Sequence, residues 1–189
     1  MAILFFDTET SDLPDYRSAP GSHQPYVVQL AAILVDGERQ ETLTTLIQPQ
    51  GWTIHPKAQA THGISAEQAL AQGIPVAQAI EQFDALLCRA GLAVAHNIRF
   101  DRLLMDSEYL RLGRKAHWPD TFCTMVTCTD ILKIPNFKGY KWPTLDEAYR
   151  HFFQRPLAKA HDALADVQAC KDIFHKLADL GFAPGTNSL

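Results

Sequence analysis

The hydrophobic pattern of this chain changes its period near the middle, and that change narrows the possible folds more than any other feature. Three runs in the first half have the composition of β-strands, at residues 2–7, 27–35 and 41–48. Asp36-Gly37 supplies a turn between the second and third runs, which predicts an antiparallel meander. Residues 11–26 contain three prolines and are predicted to form a loop.

The second half places apolar residues at helical spacing instead. Helices are predicted at 75–88, 101–112, 123–132, 144–153 and 162–180. The apolar run at 92–95 is predicted as a buried strand, and Gly113 as the left-handed residue that closes the second helix. A meander followed by alternating helices and short strands indicates an α/β protein, with a mixed sheet covered by helices on both faces. We expect one domain over residues 1–182 and a short tail at 183–189.

Charge and cysteine content narrow the class of protein. A net charge of −4 argues against a protein that coats long duplex DNA, because such binding needs many Lys and Arg contacts to phosphate. It is compatible with an enzyme that holds a few nucleotides and uses divalent cations to neutralise them. The four cysteines form no paired C-x-x-C knuckle, and no segment reads as a leader or a membrane span. A cytoplasmic protein with reduced thiols and no membrane partner is expected.

Three short acidic motifs stand at the ends of predicted elements. They are Asp7-Thr8-Glu9 after the first strand, His96-Asn97-Ile98-Arg99-Phe100-Asp101 after the buried strand, and His161-Asp162-Ala163-Leu164-Ala165-Asp166 at the head of the last helix. Residues i and i+2 of a strand project to one face, so Asp7 and Glu9 are predicted to lie side by side.

Each motif alone also has a plainer interpretation. The first pair would be a solvated strand end, Asp101 a helix-start acid favoured by the helix dipole, and Asp166 a surface acid. His96 would be a core histidine with its hydrogen bonds satisfied, and Asp162 a helix cap.

Together and in this order, the three motifs resemble those of the DEDDh 3′–5′ exonuclease family, which includes the proofreading subunit of bacterial replicative polymerases. Further matches are Thr8, Thr10, Leu13, His62-Gly63-Ile64 and Met105-Asp106. A sister class carries tyrosine one position nearer the last acid, where this chain has Asp162, so the histidine version is present. The resemblance runs from residue 7 to residue 166.

The resemblance implies a ribonuclease H-like fold with a mixed five-stranded sheet. It implies that Asp7, Glu9, Asp101 and Asp166 hold two divalent ions, and carboxylate-only ligands favour Mg²⁺ or Mn²⁺. His161 is the candidate general base. The implied reaction releases nucleoside 5′-monophosphates from the 3′ end of single-stranded nucleic acid by two-metal-ion hydrolysis.

The resemblance also supplies substrate contacts. Thr8 and Thr10 would meet the terminal nucleotide, Leu13 would wedge between the last two bases, and His62 and Phe100 would line the nucleotide pocket. Phe100 has core packing as an alternative, and Asn97 is expected to hold the loop before Asp101 more than to touch substrate.

The sequence leaves several alternatives open. Oligoribonuclease-type first motifs usually carry Met after the second acid, whereas this chain has Thr10. The difference favours a DNA-directed exonuclease over an RNA-directed exoribonuclease. An alternative from another class is an inactive binding subunit with the same fold. The segment from Phe137 to Pro156 is aromatic and basic, and it either touches the substrate strand or packs as a loop. The chain stops soon after its last helix, so we expect a free-standing exonuclease or catalytic domain, with no tail to tether a polymerase partner.

Overall fold

The computed structural model describes residues 1–21, 23–157 and 162–184. Its main sheet has five strands: β1 Ile3–Thr10, β2 Val27–Asp36, β3 Arg39–Leu46, β4 Leu92–Ala95 and β5 Asp120–Cys123. The strand order is β3-β2-β1-β4-β5; β1, β2 and β3 form an antiparallel meander, and β4 and β5 run parallel to β1. The predicted mixed five-stranded sheet is therefore confirmed.

Seven helices lie in the described ranges: α1 Pro56–His62, α2 Ala66–Gln72, α3 Val76–Leu87, α4 Ile98–Arg111, α5 Thr124–Leu132, α6 Leu145–Phe153 and α7 Ala163–Asp179. A two-stranded hairpin, β6 Pro135–Asn136 and β7 Gly139–Tyr140, follows α5. None of these helices combines the length and apolar character that crossing a bilayer requires.

Strand β1 is the centre of the core, because both of its faces are covered. Leu4 and Phe6 point to one side and pack in a cluster with residues of α3 and α4, such as Phe83. Ile3 and Phe5 point to the other side and pack against α7. This period-two alternation between two buried faces explains why the strand reads as a continuous apolar run. Helices thus cover both faces of the sheet, as predicted.

Several element boundaries differ from the sequence prediction. Strand β1 continues three residues beyond residue 7, because its acidic end still pairs with β2 in a register that shifts between Glu9 and Thr10. Helix α4 starts at Ile98 instead of 101, because Asn97 takes a left-handed conformation (φ 76°) that turns the chain out of β4 at once. Strand β3 runs from 39 to 46 rather than 41 to 48, since the tight turn pairs Asp36 with Arg39.

Four short elements were not predicted: β5, α1, α2 and the hairpin. Strand β5 has the sequence DTFC with no buried residue, and α1 has none either, so neither carries a periodic apolar signal. Their positions come from pairing with β4 and from caps such as the Ser65 hydroxyl at the start of α2.

Candidate active site

Two acids of the site lie on β1 near its carboxyl end. Asp7 and Glu9 are alternate residues of a strand, so their side chains share one face of the sheet. Strands β1 and β4 are parallel and end at the same edge, with Phe5 paired to Val94 in the last register position. Loops that leave this edge therefore surround the two acids.

Helix α7 brings a third acid to the same place. Asp162 begins the helix as its cap, with a side-chain oxygen that accepts from the backbone N–H of Ala165 at 3.1 Å. Asp166 lies one turn inside and is buried. Carboxylate oxygens of Asp7, Glu9 and Asp166 all lie within 4.8 Å of one another. The structure thus joins acids that are more than 150 positions apart in the sequence.

Asp101 stands directly beside this group and is held there by Thr8. Its Oδ1 accepts from the backbone N–H of Thr8 at 3.0 Å and from the Thr8 hydroxyl at 2.9 Å. Both residues are buried. Since Thr8 lies between Asp7 and Glu9, this pair of bonds fastens α4 to the acidic end of β1.

The crowding of carboxylates changes their protonation. Burial, followed by repulsion from Asp101, Asp166 and Glu9, raises the pKa of Asp7 well above its usual range. Burial and the neighbouring aspartates raise the pKa of Glu9 to about 8. Burial raises the pKa of Asp101 to about 7, although the bonds from Thr8 oppose that rise. Repulsion among Asp7, Glu9, Asp101 and Asp166 contributes to these shifts. The four carboxylates are therefore unstable in their fully ionised form unless a positive charge lies beside them.

The donor set fits a hard divalent cation. The tight group of three offers only carboxylate oxygens, which are the ligands preferred by Mg²⁺ and Mn²⁺. A bound cation would relieve the repulsion that raises the pKa values of these acids. His161, the predicted general base, lies outside the described residues, so its role stays a prediction.

The threonines predicted to contact substrate are both buried. The Thr8 hydroxyl donates to Asp101, and the Thr10 hydroxyl donates to the Asp12 carbonyl at 2.8 Å. Leu13, predicted as a wedge, is 83% exposed directly beyond β1. Substrate contact by these residues stays a prediction, and the structure adds that Thr8 positions a carboxylate.

His62 ends α1 and lines an open cleft of about 310 Å³ together with Gln29 and Asp162. Its Nδ1 accepts from the backbone N–H of Ile64 at 3.0 Å. The cleft therefore reaches from the predicted nucleotide pocket to the start of α7.

Asn97 and Phe100 lie at the turn into α4. Asn97 takes a left-handed conformation (φ 76°) at the turn from β4 into α4, and the expectation that it holds the loop before Asp101 stays a prediction. Phe100 is half-buried, and it is absent from the four hydrophobic clusters formed by the described residues. That placement gives no support to the core-packing alternative for Phe100.

His96 has the plainer of its two predicted roles. Its Nε2 lies 3.0 Å from the Pro143 carbonyl and its Nδ1 lies 2.9 Å from the Thr124 hydroxyl. A carbonyl can only accept, so Nε2 carries the proton and the hydroxyl donates to Nδ1. Burial lowers the pKa of His96 to about 4, which keeps the ring neutral. His96 is a satisfied histidine that ties two segments to the site edge.

Sequence reasoning missed how the loop over the site is anchored. Arg111, on α4, donates to the carbonyls of Gly21, Gln24 and Pro25 and lies 4.0 Å over the ring of Tyr26. An acid and a base three residues apart on a helix are common, so the spacing of Glu108 and Arg111 carried no distinctive signal.

Glu108 completes this anchor. It is buried, forms an ion pair with Arg111 at 2.8 Å, and accepts from the backbone N–H of Val27 at 2.9 Å. The anchor fixes the far end of the loop that carries Leu13 and Tyr16 beside the acidic group.

Comparisons with known proteins agree with this geometry. The family model RNase_T, described as an exonuclease, matches residues 4–174. An uncharacterized exonuclease, CP81, of Escherichia phage 186 is 30% identical over an alignment of 190 positions that covers 95% of this chain and 90% of the phage protein.

Solved structures of E. coli exonuclease I have the same fold. Its complex with a dT13 oligonucleotide superposes with a TM-score of 0.74 at 20% identity, over 95% of this chain and 42% of that one. The zinc-bound form of its complex with single-stranded DNA gives 0.73 at 22% identity, over 95% and 40%. The chain therefore spans about two fifths of the length of these exonuclease I chains.

Proposed function

The chain belongs to the RNase_T exonuclease family, of the DEDDh class, and on that premise we propose that it degrades single-stranded nucleic acid from the 3′ end and releases nucleoside 5′-monophosphates. DNA is the preferred substrate in this proposal. The observation that carries it is the meeting of Asp7, Glu9 and Asp166 within 4.8 Å, with Asp101 held beside them by Thr8. A metal-dependent phosphodiester hydrolase needs such a group of anionic ligands. In a subunit that only binds, clustered acids would repel one another without contributing to a reaction.

Two divalent cations, Mg²⁺ or Mn²⁺, belong to this proposal, with Asp7, Glu9, Asp101 and Asp166 as their ligands. When bound, such ions stabilise the charge that develops on the attacking and departing oxygens. The all-oxygen donor set and the raised pKa values of Asp7, Glu9 and Asp101 support the assignment.

The protein supplies the positioning and the base. Thr8 orients Asp101 through two hydrogen bonds, so the carboxylates keep their arrangement while substrate enters. We assign His161 as the general base that takes the proton of the attacking water, since imidazole accepts protons near neutral pH. The His161-x4-Asp166 motif supports this role, and Asp162 caps α7 so that His161 immediately precedes the helix cap.

The preference for an unpaired 3′ end rests on the loop beside β1. Leu13 projects there almost fully exposed, as an apolar side chain that inserts between splayed bases would be. The preference for DNA rests on Thr10 after the second acid and on the exonuclease I structures, which hold single-stranded DNA.

The test offers 5′-labelled single-stranded DNA, duplex DNA, mismatched-primer DNA and RNA, each with Mg²⁺, Mn²⁺ or EDTA. A ladder that shortens from the 3′ end is expected on single-stranded DNA with either metal and none with EDTA. Asp7→Asn should abolish it, whereas Asp36→Asn, an exposed acid on β2, should not. Immediate release of the labelled nucleotide would refute the polarity, and faster degradation of RNA would refute the DNA preference.

A further inference from the structure

The segment after α5 is an ordered hairpin with an unusual surface. We call residues 134–142 the aromatic hairpin: β6 and β7 pair through Pro135–Tyr140 and Asn136–Gly139, and the N–H of Lys141 donates to the carbonyl of Ile134 at 2.9 Å. The turn ends at Gly139, whose φ is 124°, a backbone conformation that residues with a side chain rarely adopt.

Three aromatic rings of this hairpin point into solvent. Phe137 is 93% exposed, Trp142 is 63% exposed and Tyr140 is 53% exposed. Single exposed apolar residues are normal on a protein surface, but three rings within six positions form a patch. Because these rings are exposed, they do not contribute the stabilisation that buried aromatic rings give the core. Their exposure therefore points to a binding role.

The charge of this region is opposite to that of the whole molecule. Residues 133–142 contain Lys133, Lys138 and Lys141 and no acid, in a chain whose net charge is −4. The Lys138 ammonium lies 5.4 Å from the Phe137 ring centre, while Lys141 forms an ion pair with Glu147. Exposed rings interleaved with cations are the surface that single-stranded nucleic acid recognises, because bases stack on the rings and phosphates meet the cations.

The base of the hairpin is attached to the edge of the sheet that carries the acids. Pro143, next to Trp142, accepts a hydrogen bond from Nε2 of His96, which directly follows β4. Phe5 of β1 and Val94 of β4 are paired, and Asp7 and His96 each lie two residues further towards the carboxyl ends of these parallel strands. Phe137 is six positions from Pro143, so the hairpin extends at most about 20 Å from this edge.

We propose that the aromatic hairpin is a base-stacking platform that holds the single strand upstream of the 3′ nucleotide in the active site. The inference rests on the proposed function and deepens it, since it states how the rest of the strand is bound. A span of about 20 Å accommodates roughly six stacked nucleotides at 3.4 Å each.

The kinetic test compares substrates of different length. The substrates are thymidine oligonucleotides of increasing length and the p-nitrophenyl ester of thymidine 5′-monophosphate, which presents only the reacting nucleotide. In the wild type, kcat/KM should rise with length and level off near roughly six nucleotides. Phe137→Ala/Trp142→Ala should lose about 10-fold or more on long oligonucleotides, mostly in KM, and less than about twofold on the ester.

Matched controls and a binding measurement complete the test. Phe182→Ala removes a ring of similar exposure beyond α7 and should change neither substrate. In EDTA, where no hydrolysis is expected, a long oligonucleotide should quench the fluorescence of Trp142, and Trp142→Leu should remove most of that quenching. Trp52 is stacked on Tyr26 and Trp118 packs on Phe6, so their signals should change little.

The outcomes separate the two proposals. An unchanged length dependence and quenching in the hairpin variants would overturn the platform while the exonuclease stands. Absence of 3′ laddering with retained quenching through Trp142 would overturn the exonuclease proposal and leave the platform. If the wild type shows neither 3′ laddering nor quenching by oligonucleotides, both proposals are overturned, and docking of another protein is the remaining role for the hairpin.

Discussion

Thr8 is a small residue whose position decides much of the site. It occupies the strand position between two acids, where its own side chain turns away from theirs, and both its N–H and its hydroxyl hold Asp101 from α4. A motif of the form Asp-x-Glu leaves the middle residue unspecified. Here the middle residue links the first acidic motif to the second.

Thr8→Val tests that link. The variant keeps the backbone bond and loses the hydroxyl bond, so the free energy of unfolding should fall by about 1 kcal/mol. Turnover should fall by roughly tenfold, because Asp101 is less well oriented. Denaturant titration and kcat on single-stranded DNA measure the two effects. Thr45→Val, which removes a hydroxyl that donates to the neighbouring Leu46 carbonyl, should leave kcat unchanged; equal losses in both variants would contradict the positioning role.

His161→Ala tests the assigned base. Removing a general base slows turnover by roughly 10²–10⁴-fold. Binding of Mn²⁺, measured by calorimetry, should survive because the carboxylate ligands remain. His117→Ala, an exposed histidine before β5, serves as the control. Full activity in His161→Ala would remove the residue from the mechanism.

Glu9 gives the metal-free protein a pH dependence. Its pKa is raised from 4.5 to about 8, so the stability associated with its protonated form is complete below pH 4.5 and is lost as pH rises towards 8. In EDTA the wild type should therefore lose stability across this window, and Glu9→Gln should be more stable than the wild type at pH 8 by about 1 kcal/mol or more.

Urea unfolding at several pH values between 5 and 8 measures this difference. Glu38→Gln, an exposed residue in the β2–β3 turn, should follow the wild-type profile. Added Mg²⁺ should stabilise the wild type more at pH 8 than at pH 6, since the ligands are then anionic. A Glu9→Gln profile that parallels the wild type would show that burial and the neighbouring acids do not raise the pKa of Glu9.

At the scale of elements, the loop over the site depends on one helix. Loop residues 11–26 leave β1 beside the acids and return to β2, and the described part of this loop has no regular secondary structure. Helix α4 therefore contacts both ends of the loop. Arg99 lies 4.8 Å over the ring of Tyr16, and Arg111 with Glu108 holds the backbone of Gly21, Gln24, Pro25 and Val27.

Arg111→Met tests this anchor. The change leaves the Glu108 carboxylate buried without its partner, so the free energy of unfolding should fall by about 3 kcal/mol. KM for single-stranded DNA should rise more than kcat falls, because the loop carries Leu13 rather than the metal ligands. Glu108→Gln/Arg111→Met should recover part of the lost stability.

A surface pair is the matched comparison. Arg150→Met breaks an exposed ion pair with Asp146 on α6 and should cost under about 1 kcal/mol. If Arg111→Met cost no more than Arg150→Met, the buried pair would not be an anchor. Denaturant titration and limited proteolysis within residues 11–26 measure both effects.

At the scale of the whole molecule, affinity for nucleic acid must come from a small area. The net charge of −4 argues against a broad basic surface as the main source of affinity. The acidic group and the basic aromatic hairpin carry opposite charge and lie at the same edge of the sheet. Stacking and a few phosphate contacts should therefore dominate binding.

Salt dependence tests this expectation. Each phosphate contact to a single strand contributes a slope of about −0.7 to the plot of log K against log salt, so three lysines predict a slope no steeper than about −2. Oligonucleotide quenching in EDTA across a series of KCl concentrations measures it. Lys138→Gln should flatten the slope, while Lys176→Gln on α7 should not; a slope of about −5 would indicate a broad basic surface instead.

Local sequence was enough to predict the central features of this protein. The period-two runs and the helical spacing predicted the meander, β4 and the long helices, and the Asp162 cap was expected from its place before an apolar helix. These features depend on neighbouring residues, whose side chains choose faces and caps before any distant contact forms. The three acidic motifs belong here too, since each is a short run at an element end.

Other features were decided only by tertiary structure. Thr8 and Asp101 bond across 93 positions, and β5 and α1 exist through pairing and caps without an apolar pattern of their own. Whether residues 137–142 pack or project could not be read from their composition, because aromatic and basic residues suit both. Only the folded chain shows whether other residues pack against them, because the burial of a side chain depends on residues that are distant in the sequence.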